Sequence, residues 1–269
     1  KESFDRALDT YKQLDDTDGI ALAKNSIGEW GLITGKFKIA EENLNASLPV
    51  LKDYKGDPML YAHANMNMAV VQNRLGNTEV AFQHNVTCFE IAKRVGDEIT
   101  IAKSLNNLAI LKDMAGDWDE ALEMHNQALE IRRRLKDRAG IASSLINMAA
   151  IEGDKENFDI QKSYLLEAIP NSRAVGQKRS EAYALRMLGD VETGTGNRDA
   201  AISYYQEAIR LAESINIIMM QVGALLALGG LYFKEDSKSQ ALDVYYDALE
   251  RSIQIDFLFD KLEAVNKIT

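Results

Sequence analysis

A pattern of about 40 residues recurs along the chain and constrains its fold more than any other feature. Each copy has a short turn signal, such as Gly116-Asp117, followed by an apolar run with helical spacing. A second turn signal, such as Gly96-Asp97, falls halfway between two copies. This alternation predicts helix, turn, helix, turn in every copy. Alanines mark the start of the second helix at Ala40, Ala81, Ala121, Ala201 and Ala241.

Small residues also recur in register on both helices of each copy. Small side chains let two helix backbones approach closely, while Leu, Ile and Met fill the layer between neighbouring copies. The pattern therefore predicts antiparallel helix pairs stacked along one direction. The first helices carry Gly28, Ala69, Ala109, Ala149, Gly189 and Gly229, and the second helices carry Ser47, Cys88, Ala128, Ala168, Ala208 and Ala248.

One copy carries a recognisable motif. It reads Ala102-x-x-Leu105-x-Asn107-Leu108-Ala109, then Gly116-Asp117-Trp118-x-x-Ala121, then Ala128. This motif resembles the tetratricopeptide repeat (TPR), although the standard repeat has about 34 residues. The longer helices are similar to the variety found in spindle-orientation adaptors, rapsyn, kinesin light chain and bacterial TPR regulators. The resemblance implies an all-α, TPR-like α-solenoid, a right-handed superhelix whose first helices line a concave groove.

We predict one solenoid over residues 1–269, without separate domains. Its parts are a partial repeat at 1–18, helix pairs at about 20–55, 58–95, 98–135, 138–175, 178–215 and 217–255, and a terminal helix at 257–269. Two departures stand out. The turn at Glu156-Asn157 lacks the usual glycine, and Pro49 and Pro170 are predicted to bend or shorten their second helices.

The two ends of the chain are rich in apolar residues. Because the chain opens with Lys1, we interpret it as a piece of a longer protein. A repeat array buries each layer against the next, so uncovered terminal layers predict either end-to-end self-association at high concentration or dependence on residues outside this sequence. The residues concerned are Phe4, Leu8 and Tyr11 at one end and Ile253, Ile255, Phe257, Leu258, Phe259, Leu262 and Val265 at the other.

Charge argues against two classes of partner. With 41 acidic and 31 basic side chains the net charge is −10, which disfavours nucleic acid and anionic lipid. The stretch Ile217–Phe233 approaches the length of a membrane span, but it coincides with a repeat helix and contains three glycines. We therefore expect a cytoplasmic protein that binds neither nucleic acid nor membranes.

Residue patterns typical of catalysis are absent from the sequence. Gly31–Lys36 is one residue short of a phosphate-binding loop and lacks its Ser/Thr. The histidines His63, His84 and His125 have no ligand spacing, and Cys88 occupies a small-residue column. We expect no enzyme, metal or cofactor. The basic run Arg132-Arg133-Arg134 is interpreted as a solvated helix end.

The resemblance assigns certain positions of the first helix to the groove. Asn67, Asn107 and Asn147 recur there in 40-residue register. Their amides are predicted either to pair with the backbone of an extended peptide or to bond within their own helix layer, and both interpretations stay open. The groove residues implied are Asn25, Glu29, His63, Met66, Asn67, Asn73, Arg74, Lys103, Asn106, Asn107, Asp113, Asn147, Tyr183, Arg186 and Asp190.

Two functions follow as hypotheses. The leading one is a scaffold whose groove holds a peptide or helical segment of a protein partner. The alternative is a ligand-responsive sensor region of a larger signalling or transcription-control protein. TPR proteins that bind chaperone C-termini carry a carboxylate clamp of Lys and Asn. Here Glu29 and Asp190 stand where that clamp has an amide, which argues against such a partner.

Overall fold

The computed structural model describes residues 1–254 of the chain. Within this range it contains thirteen α-helices and no β-strand, which confirms the predicted all-α, TPR-like solenoid. The helices are α1 Glu2–Gln13, α2 Thr17–Ile33, α3 Phe37–Asp53, α4 Pro58–Arg74, α5 Thr78–Val95, α6 Glu98–Met114, α7 Trp118–Arg134, α8 Arg138–Asp154, α9 Phe158–Ala174, α10 Lys178–Gly194, α11 Arg198–Ser214, α12 Ile218–Lys234 and α13 Lys238–Gln254.

The chain divides into two compact units. The first unit runs from Lys1 to Ile131, and the second begins at Arg132. In the first unit α2 packs on α3 and α4 on α5, while in the second α8 packs on α9, α10 on α11 and α12 on α13. Even-numbered helices from α2 onward are thus the first helices of the pairs. The single solenoid over residues 1–269 remains a prediction.

Most turns between helices share one backbone conformation. Glycines adopt the left-handed conformation in six of these turns, for example Gly116 with φ 83°. Five other turns place a non-glycine residue in the same region, among them Glu156 with φ 59°, which fills the turn that lacks glycine. Asp97 caps α6 through its carboxylate, which accepts from the backbone N–H groups of Ile99 and Thr100.

The two prolines do not shorten their helices, so that part of the prediction is wrong. Pro49 lies inside α3 and Pro170 inside α9, and each helix has 17 residues like most of its neighbours. Both prolines are exposed and lie in the last third of the helix. Water can therefore satisfy the carbonyl that loses its hydrogen bond, and the remaining turns continue.

Close packing of the two helices in a pair depends on the small-residue column. In the second unit a Cβ on Gly189 would lie 2.5 Å from the ring of Tyr205, and a Cβ on Gly229 would lie 2.3 Å from the ring of Tyr245. Tyr205 is only 2% exposed. Each glycine thus makes room for a tyrosine of its partner helix. In the first unit Gly28 meets Leu44 in the same way.

The predicted solvated helix end is wrong for Arg132. This residue is 6% exposed, and its guanidinium donates to the carbonyl oxygen of Gly140 at 2.9 Å and to the hydroxyl of Ser144 at 2.6 Å. Burial lowers the pKa of Arg132. Gly140 creates the space, since a Cβ there would lie 2.7 Å from the Arg132 side chain. Arg133 is exposed and pairs with Glu167.

The terminal apolar residues are described at the first end and, at the other, only at Ile253, which is 58% exposed. Phe4 on α1 is 38% exposed, and the ring of Tyr11 covers Gly19 at the start of α2. The predicted terminal helix and the apolar residues from Ile255 onward lie outside the described residues. Among residues 1–254 no helix is long and apolar enough to span a membrane. The stretch considered for that role forms most of α12, which packs on α11 and α13.

Candidate functional site

A hollow of about 540 Å³ opens between the first helices α4 and α6 of the first unit. Three amide side chains line it, Asn73 from α4, Asn107 from α6 and Asn85 from α5, together with Arg74. Val70, Ile110 and Met114 supply apolar walls. We call this site the amide hollow. It combines hydrogen-bonding groups with apolar surface, as peptide-binding clefts do.

The depth of the amide hollow comes from the residue at its floor. We call equivalent positions of the repeated helices a column. Asn85 lies in the second-helix column that holds Leu44 in the preceding helix pair and His125 in the next. In the second unit the same column holds Leu165 and Tyr205. Asn85 is the only small polar side chain in this column among the described pairs, so the space above it stays open.

The amides of the hollow are incompletely bonded. The Asn73 Oδ1 atom is buried and has no hydrogen-bond partner among the described residues. The Asn107 amide nitrogen donates to Asn85 Oδ1 at 3.4 Å, longer than the usual range of about 2.7–3.2 Å. The exposed Arg74 forms no ion pair within residues 1–254. A buried acceptor without a donor is unfavourable, and a bound N–H group would relieve it.

A second hollow of about 390 Å³ lies between α8 and α10 in the second unit. Tyr183, Arg186 and Asp190 of α10 line it, and we call it the tyrosine–arginine hollow. Arg186 donates to Asp190 Oδ2 at 2.7 Å, and its guanidinium lies 5.2 Å from the centre of the Tyr183 ring. The Tyr205 hydroxyl donates to Asp190 Oδ1 at 2.8 Å. The polar groups here already bind each other.

Two pKa shifts follow from this network. Loss of hydration raises the pKa of Asp190, although 42% of its side chain is exposed, and the Arg186 charge with the Tyr205 hydroxyl offsets part of the rise. Burial, followed by the nearby Asp190 charge, raises the pKa of Tyr205. The rise for Tyr205 follows because its ring fills the space beside Gly189 and its hydroxyl lies against the Asp190 carboxylate.

The two hollows contain six of the predicted groove residues, and the others lie elsewhere on the first helices. Asn106 is buried, and Asn25 has a buried Oδ1 without a partner. The His63 ring meets the Thr100 hydroxyl at 3.3 Å. The amide of Asn67 makes no hydrogen bond within residues 1–254, whereas Asn147 interacts with another group. Of the remaining predicted residues, Glu29 and Lys103 are exposed and Met66 and Asp113 are half-buried.

Neither the cysteine nor the histidines form a reactive cluster in the described part of the chain. Cys88 is fully buried, and burial raises the pKa of its thiol, which keeps it protonated. The His84 ring contacts the Asn65 carbonyl oxygen at 2.8 Å, and burial lowers its pKa. Residues 1–254 contain no group of three or more His, Cys, Asp or Glu side chains that could hold a metal.

Sequence reasoning missed Asn85, because it considered only first-helix positions. Asn85 lies on α5 and forms the floor of the amide hollow. Phe158 and Gln161 of α9 likewise line the tyrosine–arginine hollow. A signal existed for Asn85, since a polar residue interrupts a column otherwise filled by larger side chains.

Solved structures with similar folds come from several regulatory proteins. Apo RapI has a TM-score of 0.77 at 15% identity, covering 95% of this chain and 91% of RapI. The apo quorum sensor NprR from B. thuringiensis has a TM-score of 0.72 at 15% identity, covering 98% of this chain and 78% of NprR. NprR in complex with its cognate peptide NprX has a TM-score of 0.67 at 15% identity, covering 94% of this chain and 74% of NprR. At these identities the likeness shows the fold.

A further similar structure is PH0952 from Pyrococcus horikoshii, a STAND protein with a tetratricopeptide repeat sensor. Its TM-score is 0.68 at 18% identity, covering 99% of this chain and 42% of PH0952. The comparison with curated proteins gave no match. The tetratricopeptide repeat family model matches residues 60–134 and 140–214, more than half of the chain. The chain therefore belongs to the tetratricopeptide repeat family.

Proposed function

We propose that the chain is an interaction scaffold that holds an extended peptide segment of a protein partner in the amide hollow. The buried, unpartnered Oδ1 of Asn73 carries this proposal. A peptide backbone offers an N–H donor and a carbonyl acceptor at every residue, and an Asn amide can bond to both. A peptide N–H placed against Asn73 would remove the cost of that unsatisfied acceptor.

The rest of the hollow suits the same ligand. The long bond between Asn107 and Asn85 can be exchanged for bonds to a peptide carbonyl and N–H at little cost. Val70, Ile110 and Met114 provide apolar contacts for side chains, and Arg74 at the rim is available to an acidic group or a carbonyl. The volume of about 540 Å³ accommodates several residues of an extended chain.

The similar structures support a peptide as ligand. NprR has been solved with its cognate peptide NprX. The likeness to PH0952, whose repeats are described as a sensor, favours the alternative that ligand binding regulates an attached effector. The two hypotheses agree on the ligand and differ in its consequence. In the sensor, ligand binding changes the conformation of the repeats, which small-angle X-ray scattering of the chain with and without peptide would detect.

Selection from a random-peptide phage library on the immobilised chain tests the scaffold proposal. Peptides enriched on the wild type are then measured by fluorescence anisotropy against the double variant Asn73→Ala/Asn107→Ala. We expect a loss of at least about tenfold in affinity, because two amide partners are removed. Asn126→Ala is the matched control, since Asn126 is exposed on the second helix α7.

Two results would contradict the proposal. One is the absence of any enriched peptide, and the other is an equal affinity of the double variant and the wild type. Circular dichroism of each variant checks that helicity is retained.

A further inference from the structure

A third opening lies on the other side of Tyr183 and Arg186, between the first helices α10 and α12 of the second unit. It is a narrow pocket of about 190 Å³. Its apolar wall comes from α12, through Met219 and Met220, and from Ile217 just before that helix. Arg179 and Arg186 of α10 line the opposite side. We call this site the methionine pocket.

Gly223 is the reason that the pocket exists. In the other pairs the equivalent position of the first helix carries a side chain, such as Lys103, Ser143 or Tyr183. A Cβ built on Gly223 meets no atom within 4 Å. Gly223 therefore lines open space, unlike Gly229 of the same helix, which is packed against Tyr245.

Apolar side chains around this opening are left exposed. Met219 is 54% exposed and Tyr183 is 41% exposed. Methionine is flexible and polarizable, so it adapts to aliphatic groups of different shape. An aliphatic side chain that entered the pocket would cover these surfaces and remove its own surface from water.

The charge at the pocket comes from one arginine. Arg186 is already paired with Asp190 at 2.7 Å. Arg179 is exposed and makes no ion pair or hydrogen bond within residues 1–254. Arg173 and Arg198 of the second unit, by contrast, are paired with carboxylates, Arg173 with Glu181 and Arg198 with Glu235. An unpaired guanidinium beside an apolar pocket favours an anionic group of the ligand at this position.

We propose that the methionine pocket binds an aliphatic side chain of a peptide segment of the protein partner, and that Arg179 pairs with a carboxylate one or two residues away from it. The ligand is therefore a peptide containing an acidic–aliphatic pair, such as Asp or Glu close to Leu, Ile or Met. This inference rests on the proposed function and adds the side-chain preference of the ligand. The guanidinium can donate two parallel hydrogen bonds to the carboxylate oxygens, the bidentate geometry that favours arginine over lysine.

The test uses the phage selection on the full chain, repeated with Arg179→Glu. We expect peptides selected on the wild type to be enriched in acidic–aliphatic pairs. On Arg179→Glu we expect enrichment of Lys or Arg at the acidic position instead, a reversal that loss of structure would not produce. Glu suits position 179 because it lies in the first turn of α10. The matched control is Arg138→Glu, an exposed arginine in the first turn of α8.

Blocking the pocket provides a second arm. With one enriched peptide, Gly223→Leu is expected to weaken binding at least about tenfold in Kd, since its side chain occupies the pocket. Gly223→Ala should have a smaller effect. Gly230→Ala on the same helix, where a Cβ would also have room, should leave binding unchanged.

The outcomes separate the two proposals. If peptides bind and depend on Asn73 and Asn107, but show no acidic–aliphatic pair and tolerate Arg179→Glu and Gly223→Leu, this inference is overturned and the proposed function stands. If no peptide is enriched on the wild type, both are overturned. A charge reversal on Arg179→Glu, absent from Arg138→Glu, supports the inference.

Discussion

The amide hollow and the tyrosine–arginine hollow are built on equivalent backbones, yet their polar groups behave differently. In the first, Asn85 leaves space and Asn73 keeps an unsatisfied oxygen. In the second, Gly189 admits Tyr205, whose hydroxyl reaches Asp190. The same second-helix column thus carries a small residue below an open hollow in the first unit and, on α11, a tyrosine that bonds to a hollow-lining carboxylate in the second.

The largest expected effect concerns that column. Tyr205→Ala removes a buried aromatic ring and should lower the free energy of unfolding by about 3–5 kcal/mol. Asn85→Ala removes a side chain with one long hydrogen bond and should cost about 1 kcal/mol or less. Urea unfolding followed by circular dichroism measures both. Equal losses would show that the two positions do not differ as described.

A smaller loss is expected from Gly189→Ala. The added Cβ would lie 2.5 Å from the Tyr205 ring, and such overpacking should cost about 1–3 kcal/mol. The combination Gly189→Ala/Tyr205→Leu reproduces the Ala149 and Leu165 combination of the preceding pair, so it should be more stable than the sum of the single changes predicts. Additive losses in thermal unfolding would argue against direct coupling. Gly223→Ala is the control, because its Cβ has open space.

Closing the amide hollow should change binding more than stability. Asn85→Leu places at its floor the residue found at Leu44 and Leu165. We expect the variant to stay folded and to bind the selected peptides about tenfold more weakly, a loss of about 1.4 kcal/mol. Anisotropy titration beside a thermal melt gives both quantities. Undiminished binding by a folded variant would place the ligand elsewhere.

The smallest effect is electrostatic. Because its pKa in the folded chain exceeds the ordinary value of 3.8, Asp190 contributes most to stability below that value, and this contribution is lost as pH rises through the folded pKa. Arg186→Gln removes the nearest positive charge and should raise the pKa of Asp190 further. Carbon-13 NMR titration of the Asp190 carboxyl group measures this pKa in the wild type and in the variant. Titration at or below 3.8 in the wild type would contradict the burial argument.

The architecture was predictable because the signals for it are periodic. The 40-residue spacing, the small-residue columns and the turn glycines each require only local chemistry, and they agree with one another. Even the turn at Glu156 adopts the left-handed conformation without glycine, which shows that the packing of its flanking helices imposes it. The misjudged prolines are exposed, a property that the repeat pattern alone does not reveal.

The hollows were predictable only in part. First-helix columns drew attention to Asn73 and Asn107, which line the amide hollow, but the floor residue Asn85 comes from the other helix of the pair. Arg132 was misjudged for a similar reason, since its burial depends on the space left by Gly140 on the following helix. In both cases the outcome depends on a residue of the neighbouring helix. The spacing of residues within one helix does not reveal which residue that is.

The central claim is that a peptide ligand bonds to the amides of the first unit. NMR spectra of the chain labelled with nitrogen-15 at asparagine test it most directly, because side-chain amide signals report on hydrogen bonding. On addition of a selected peptide, the side-chain signals of Asn73, Asn85 and Asn107 should shift while that of Asn126 stays in place. Shifts confined to asparagines outside the amide hollow, with these three unchanged by a peptide that binds, would contradict the account.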